Sequence, residues 1–171
     1  EIIIQLGMPN VQFLFQIDAT ENYFTSGKDT VSLLFSANKG SNLEPIKKVA
    51  SGGEMSRIML AIKSVLTQYS KLPTILFDEI DTGVSGEIAL KMAEIMKLMS
   101  KKMQVFAITH LPQIASKGNN HFKVFKTSSD KDTISEIVLL TEEERIIEIA
   151  EMLSGKNISE SAINHAKALL N

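Results

Sequence analysis

Two short apolar runs separated by a helical pattern constrain the fold of this chain more than any other feature. The runs cover residues 74–77 and 104–109, and neither alternates with polar residues, which is typical of strands buried on both faces. Between them, residues 87–101 repeat apolar side chains at helical spacing. Two strands joined by a helix form a βαβ unit, so we expect the strands to be parallel with a right-handed crossover.

The segment before this unit has a different period. Val11, Phe13, Phe15 and Ile17 alternate with polar or smaller residues, which is the period-2 pattern of a half-buried strand. Residues 31–37 form a second run of the same kind. The pattern predicts an antiparallel meander.

Apolar faces at helical spacing predict two helices that flank the first buried strand. In the helix expected to begin near residue 51, the residues expected to face the core are Met55, Ile58, Met59, Ile62, Val65, Leu66 and Tyr69. In the helix at 87–101, they are Ile88, Met92, Ile95, Met96 and Met99.

The last third of the chain reads as a β-hairpin followed by two helices. The hairpin strands are expected at 121–127 and 133–140, and the helices at about 142–153 and 159–170. We therefore expect one α/β unit over the whole chain, with a parallel βαβ core, antiparallel strands and C-terminal helices. Its expected parts are a β-rich lead-in at 1–50, a core at 51–116, and a hairpin with C-terminal helices at 117–171.

Composition excludes several classes of protein. The 171 residues include no cysteine, so a disulfide, a thiolate zinc site and a cysteine nucleophile are impossible. No apolar run approaches the ~20 residues of a membrane span. The formal net charge of −2 argues against an autonomous, strongly basic nucleic-acid binder. Because the first residue is Glu1, we expect the chain to be a piece of a longer protein.

The start of the first long helix has the composition of a phosphate-binding site. Ser51 and Glu54 have the spacing of a capping box. A helix N-terminus exposes unpaired N–H groups and a positive dipole end. Gly52 and Gly53 have no Cβ, so an anion can approach the backbone closely, and the Ser51 hydroxyl adds a donor. A plain helix start remains the simpler interpretation of the same residues.

Two adjacent carboxylates end the first buried strand. Asp78 and Glu79 follow the apolar run directly, and successive strand side chains point to opposite sides. Asp78 is therefore a candidate ligand for Mg²⁺, while Glu79 is a candidate for polarising an attacking water. Ligands of α/β sheets bind at this carboxyl edge of the strands. A strand that simply leaves the core is the alternative interpretation.

Two further polar residues are expected near the same edge. The loop after the acidic pair contains Asp81, followed by Ser85, which is well placed to cap the next helix. His110 ends the second buried strand, one crossover away from Glu79. That position allows its imidazole to donate a hydrogen bond to a terminal phosphate, although a lone histidine is more often structural.

The order and spacing of these motifs resemble the second half of an ABC-type ATPase head. The motifs at 49–57, 77–86 and 109–115 are similar to the signature motif, the Walker B motif with its D-loop, and the switch histidine of that family. In their details they resemble its SMC-like branch of DNA repair ATPases. The resemblance implies nucleotide binding by Ser51, Gly52, Gly53, Glu54 and Asp81, catalysis by Glu79 and His110, and Mg²⁺ binding by Asp78.

The P-loop of that family is missing from this chain. A Walker A motif requires G-x-x-x-x-G-K-[ST], but Gly27-Lys28 precedes Asp29 and Gly155-Lys156 precedes Asn157. The resemblance therefore implies that the partner is the N-terminal half of the same head, which carries Walker A and a coiled coil. It also implies ATP and Mg²⁺ as cofactors, and a second copy that completes an ATP-sandwiched homodimer. It implies DNA as a partner of the full-length protein and a cytoplasmic, nucleoid-associated location without a membrane. The fragment alone is expected to be inactive, because phosphoryl transfer depends on positioning and charge stabilisation.

Two alternatives remain open from the sequence. The first is the head of another SMC, Rad50-like or ABC ATPase, including a transporter subunit. The second is a non-catalytic module that dimerises or docks DNA and uses these motifs only structurally. Its basic surface would consist of Lys47, Lys48, Lys101, Lys102, Lys123 and Lys126, although scattered lysines usually belong to a solvated face.

Overall fold

The structure is a computed structural model that describes residues 1–69, 72–128 and 132–171. Within these ranges the chain forms helices and strands in an α/β arrangement. In chain order they are α1 (Ile2–Gln5), β1 (Gln12–Phe24), β2 (Gly27–Ser36), β3 (Glu44–Pro45), α2 (Ile46–Val49), α3 (Gly52–Leu66), β4 (Thr74–Asp78), α4 (Gly86–Met99), β5 (Gln104–Ile108), α5 (Pro112–Ala115), β6 (Phe122–Ser128), β7 (Thr133–Leu139), α6 (Glu142–Ser154) and α7 (Glu160–Leu170).

The predicted βαβ unit is confirmed. Strands β4 and β5 pair in parallel, with Thr74 opposite Gln104 and Asp78 opposite Ile108. Helix α4 connects them and buries the apolar face that its spacing predicts, including Met92 and Met96. These side chains form the main core with residues of α3, β4 and α5. The connection positions the carboxyl ends of both strands at one edge of the sheet.

Only one face of the β4–β5 sheet is covered by the described residues. Phe77 is 5% exposed, whereas Leu76 is 59%, Phe106 is 44% and Ile108 is 53% exposed. The prediction that both strands are buried on both faces is therefore wrong for this chain. An apolar run shows that a strand needs cover on both sides, but it does not show which chain supplies that cover.

Helix α3 buries a narrower face than its sequence predicts. Ile58 and Leu60 are buried, and Met55 is half-buried. The predicted core positions that the structure leaves exposed, at 40–83%, are Met59, Ile62, Val65, Leu66 and Tyr69. Apolar residues surround more than one side of this helix, so periodicity alone does not identify the side that packs on the core.

The lead-in contains the predicted meander and two unpredicted helical turns. Strands β1, β2 and β3 lie side by side in that order, and both pairs are antiparallel. The expectation of strands throughout 1–50 is wrong for α1 and α2, which are four residues each. Met8, Phe35 and Ile58 form a small buried cluster that joins the lead-in to α3.

The hairpin and the two C-terminal helices are confirmed. Strands β6 and β7 pair antiparallel, and α6 packs on α7 through a buried cluster around Ile149 and Ala166. Lys123 on β6 forms ion pairs with Glu148 and Glu151 on α6, so the hairpin is anchored to the helix. None of the helices in the described ranges has the length and apolarity needed to cross a membrane.

Candidate functional site

The carboxyl edge of the β4–β5 sheet brings the two predicted carboxylates close to the predicted histidine. Asp78 is the last residue of β4 and pairs with Ile108, the last residue of β5. The backbone N–H of Glu79 donates to the carbonyl of Ile108 at 3.2 Å. His110 follows two residues later. The structure therefore places Asp78, Glu79 and His110 at one edge, as their sequence positions predict.

Glu79 has a backbone conformation that L-residues rarely adopt. Its φ of +47° is the only positive φ of a non-glycine residue in the part of the chain that the structure describes. Its carbonyl accepts hydrogen bonds from the backbone N–H and the hydroxyl of Thr82, at 3.2 and 3.0 Å. These bonds hold a strained turn, and strain of this kind is concentrated at functional sites. The turn leaves the Glu79 side chain exposed at the sheet edge.

Asp81 lies beneath this edge and is completely buried. Its Oδ2 accepts a hydrogen bond from the hydroxyl of Thr109. Its Oδ1 has no hydrogen-bond partner among the described residues. The prediction that Asp81 binds nucleotide stays a prediction, and its side-chain contacts in this structure are with Thr109 and His110, which follow β5.

His110 is exposed above Asp81. Its side chain is 66% exposed, and its Nδ1 lies 3.6 Å from Oδ2 of Asp81. That distance is longer than a hydrogen bond but within the range of an ion pair. The other ring nitrogen is not engaged in any hydrogen bond that the structure contains within its described ranges, so it can serve a ligand.

The start of α3 forms the capping box that the sequence predicts. The Ser51 hydroxyl accepts from the N–H of Glu54 at 3.3 Å, and the Glu54 carboxylate accepts from the N–H of Ser51 at 2.8 Å. The carboxylate of Glu54 is therefore used by the cap. The hydroxyl proton of Ser51 and the backbone N–H groups of Gly52 and Gly53 remain for an anion.

The two glycines of this helix start have different surroundings. A Cβ on Gly52 would meet nothing within 4 Å, whereas a Cβ on Gly53 would lie 3.2 Å from the carbonyl oxygen of Gly83. Gly53 therefore allows the helix start to touch the loop that follows the acidic pair, and Gly52 keeps its outer side open. The helix start and the sheet edge are neighbours through this backbone contact.

The chemistry of the edge fits a magnesium–nucleotide complex. Mg²⁺ at such sites is bound by one or two carboxylates together with phosphate oxygens, and Asp78 offers an exposed carboxylate. In the described ranges no group of three or more histidines and acidic residues could hold a metal without other ligands. Asp78 would thus hold the ion together with phosphate oxygens.

Two further residues, to which the sequence motifs gave no role, shape the site. Thr109 bonds Asp81, and its oxygen accepts from the N–H of Leu111 at 2.9 Å. Arg57 donates to the carbonyls of Gly53 and Leu6, at 3.1 and 3.0 Å, and so joins α1 to the helix start. Arg57 lies in the motif at 49–57 and Thr109 in the motif at 109–115. Their position within these motifs was the sequence signal that could have identified them.

The alternative hypothesis of a DNA-docking module requires a basic surface of lysines, and one of these lysines is already paired with acidic residues of this chain. Lys123 is bound by Glu148 and Glu151, and the bond to Glu148 raises the pKa of its ammonium. Lys101 and Lys102 follow α4, before β5 begins, and therefore lie towards the opposite ends of the strands from the site. The side chain of Lys47 is outside the described part of the chain.

Comparison with solved structures defines the class of fold. No protein-family model matches this chain. The Smc head domain with a coiled coil and joint from Pyrococcus yayanosii matches 90% of this chain and 28% of its own, with a TM-score of 0.66 and 22% identity. The Smc head with an extended coiled coil, bound to the C-terminal domain of ScpA, from Pyrococcus furiosus matches 90% and 36%, with a TM-score of 0.61 and 22% identity. The chain therefore has the α/β fold found in SMC-type ATPase heads.

Comparison with known protein sequences finds relatives that are named DNA repair protein RecN. RecN of Deinococcus radiodurans is 44% identical over 169 residues, which are 99% of this chain and 29% of that protein. RecN of Rickettsia felis is 43% identical over 97% of the chain, and RecN of Haemophilus influenzae is 36% identical over 98%; the chain covers 30% of each. The relationship to RecN that the motifs suggest is confirmed. The chain spans less than a third of the length of these relatives.

Proposed function

We propose that this chain is the C-terminal lobe of the ATPase head of a RecN-type DNA repair protein. One observation carries the proposal: the signature-like helix start, the acidic pair and the histidine lie together around one sheet edge. In this proposal, ATP binds between two heads and holds them together, and hydrolysis separates them.

Three residues act on the nucleotide bound to their own head. Asp78 holds Mg²⁺, which neutralises charge on the phosphates. Glu79 orients and polarises the attacking water, and His110 donates a hydrogen bond to the terminal phosphate. The exposure of all three side chains at the strand ends supports these roles.

The helix start acts on the nucleotide bound to the opposite head. The hydroxyl of Ser51 and the backbone N–H groups at Gly52 and Gly53 contact its terminal phosphate, aided by the positive end of the α3 dipole. The open space beside Gly52 supports this role, because a Cβ there would meet nothing of this chain. Glu54 contributes by fixing the cap rather than by contacting nucleotide. Asp81 contributes indirectly, because its completely buried side chain lies below the sheet edge and contacts Thr109 and His110.

The phosphate cradle comes from the N-terminal half of the same head, with its Walker A motif and coiled coil. The bare face of β4–β5, with Leu76, Phe106 and Ile108, supports this partner because apolar strands of this kind are normally covered. A solved structure described as concerning ATP-driven dimerization and DNA stimulated activation of SMC ATPases contains a chain that this one covers to 87%, with a TM-score of 0.58. That chain shares its fold with this one at 20% identity.

The remaining parts of the proposal concern the whole protein. We expect its other partners to be DNA and a second copy of the same head, and its activity to serve DNA double-strand break repair and recombination in the cytoplasm, at the nucleoid. RecN relatives are named for DNA repair, which supports this context.

Reconstitution tests the catalytic proposal. We expect the purified chain to show no Mg-dependent ATP hydrolysis, and a mixture with the Walker A polypeptide of the same protein to hydrolyse ATP. Glu79→Gln should abolish turnover and trap ATP-bound dimers in size-exclusion chromatography. Glu143→Gln, on the exposed first turn of α6, is the matched control and should hydrolyse ATP at the normal rate. Normal turnover by the Glu79→Gln assembly would overturn the role of Glu79.

A second variant tests the role of the helix start between heads. Ser51→Arg should block ATP-dependent dimerisation of the reconstituted head and leave nucleotide binding to a single head intact. Equal loss of both would mean that Ser51 acts on the nucleotide of its own head.

A further inference from the structure

Asp81 has a buried carboxyl group to which the proposed mechanism gives no direct contact with substrate. Its side chain is 0% exposed, and its Oδ1 has no partner within the described ranges. Burying a carboxylate is costly unless it is paired. The contacts of this group indicate a role for it.

The contacts of Asp81 lead to the end of β5. Its Oδ2 accepts from the Thr109 hydroxyl, and the Thr109 oxygen in turn accepts from the N–H of Leu111 at 2.9 Å. Because the hydroxyl donates in one direction and accepts from another, its rotation is fixed. Asp81 is therefore tied to the backbone segment that carries His110.

The ring of His110 has little else to orient it. Its side chain is 66% exposed, and the carboxylate of Asp81 lies 3.6 Å from Nδ1. This contact is too long for a hydrogen bond. Contacts between catalytic groups are often long without substrate and shorten when it binds. A carboxylate at this position attracts a protonated Nδ1 and turns Nε2 towards solvent.

We infer that Asp81, held by Thr109, is a positioning residue that directs Nδ1–H of His110 inward and presents Nε2 to the terminal phosphate. The inference rests on the proposed function for what Nε2 does, but the orientation of the ring is a property of this chain alone. A neutral ring with its proton on Nδ1 has an acceptor at Nε2. Donation to phosphate therefore uses the doubly protonated ring, with one anion facing each nitrogen.

The orientation is tested in the chain without nucleotide by ¹⁵N NMR of its three histidines. In its neutral form, His110 should carry its proton mainly on Nδ1, the less common tautomer of an unconstrained ring. Asp81→Asn should shift His110 towards the Nε2–H tautomer, whereas Asp29→Asn in the exposed lead-in hairpin should leave it unchanged. An unchanged His110 tautomer in Asp81→Asn overturns the inference.

A matched pair at Thr109 keeps the test decisive if Asp81→Asn does not fold. Thr109→Val removes the hydroxyl and should shift the tautomer in the same direction. Thr109→Ser retains the hydroxyl and should restore the original tautomer. If both variants show the tautomer of the unmodified chain, the inference is wrong.

Kinetics in the reconstituted head provide the second measurement. Asp81→Asn should lower kcat about tenfold to a hundredfold, the range found when the carboxylate partner of a metal-ligating histidine is removed, with little change in KM for ATP. Combined with His110→Ala it should add no further loss, because the two groups act as one unit. Independent, multiplicative losses would overturn the inference. If the unmodified assembly does not hydrolyse ATP, the proposed function fails, while the tautomer measurement still decides the positioning role.

Discussion

At the scale of single residues, the turn at Glu79 shows that the site is held under strain. Its φ of +47° places an L-residue in the left-handed region, where glycine has no penalty. We predict that Glu79→Gly has a free energy of unfolding about 1 kcal/mol higher than Glu79→Ala. Urea unfolding of the two variants measures the difference.

The control for this comparison is a residue in an ordinary strand. At Ser135 in β7, glycine should be less stable than alanine by about 0.5–1 kcal/mol, so the sign should reverse. A lower stability of Gly than Ala at both positions would show that Glu79 is not strained.

The two glycines at the start of α3 form a natural matched pair. Gly52→Ala should raise the free energy of unfolding by about 0.5 kcal/mol, because alanine favours a helix and its Cβ meets nothing within 4 Å. Gly53→Ala places a Cβ 3.2 Å from the Gly83 oxygen, so it should be less stable than Gly52→Ala by about 1 kcal/mol. Equal stability in urea unfolding would show that the loop moves freely away from α3.

At the scale of elements, the contact between the β6–β7 hairpin and α6 contains a group that responds to pH. Burial lowers the pKa of His121 from the usual 6.5, since desolvation outweighs the opposing effect of Glu148. Arg145 and Lys123 lower the pKa further. Its Nδ1 is buried without a hydrogen-bond partner among the described residues. The hairpin is therefore anchored beside a neutral imidazole.

Acid should weaken this contact. As the pH falls below about 6.5, the unfolded chain binds a proton at His121 before the folded chain does, so the free energy of unfolding decreases. His121→Gln should flatten that part of the pH profile, measured by urea unfolding between about pH 5 and pH 7.5. His165→Gln, on an exposed position of α7, is the control. A His121→Gln profile parallel to that of the unmodified chain would contradict the prediction.

The order of elements was predictable because it depends on local pattern. The βαβ unit, the hairpin, the C-terminal helices and the capping box at Ser51 all follow from spacing and turn chemistry, and the structure contains them. The exposed side of α3 was not predictable, because periodicity does not state which apolar side meets a partner. The burial of Asp81 beneath Thr109 depends on the loop path between β4 and α4, which has no local signature.

At the scale of the whole molecule, the bare sheet face makes a quantitative prediction about the partner lobe. Leu76 on this face and Leu98 on the outer side of α4 are 59% and 60% exposed. Replacing either leucine by serine therefore removes a similar exposed apolar area. Leu76→Ser should weaken binding to the Walker A polypeptide about tenfold to a hundredfold, because the leucine would be fully covered there. Leu98→Ser should bind normally in isothermal titration calorimetry. Equal affinity of both variants would mean that the partner covers another surface.

The exposed face of the β4–β5 sheet also affects how a mutational scan of this chain should be interpreted. When only the folding of the separate lobe is selected, positions such as Leu76, Phe106 and Ile108 will tolerate polar replacements, because water already surrounds much of each side chain. When the proposed DNA repair activity of the whole protein is selected, the same positions should become intolerant. The disagreement between the two scans would itself map the surface that the proposed N-terminal lobe covers.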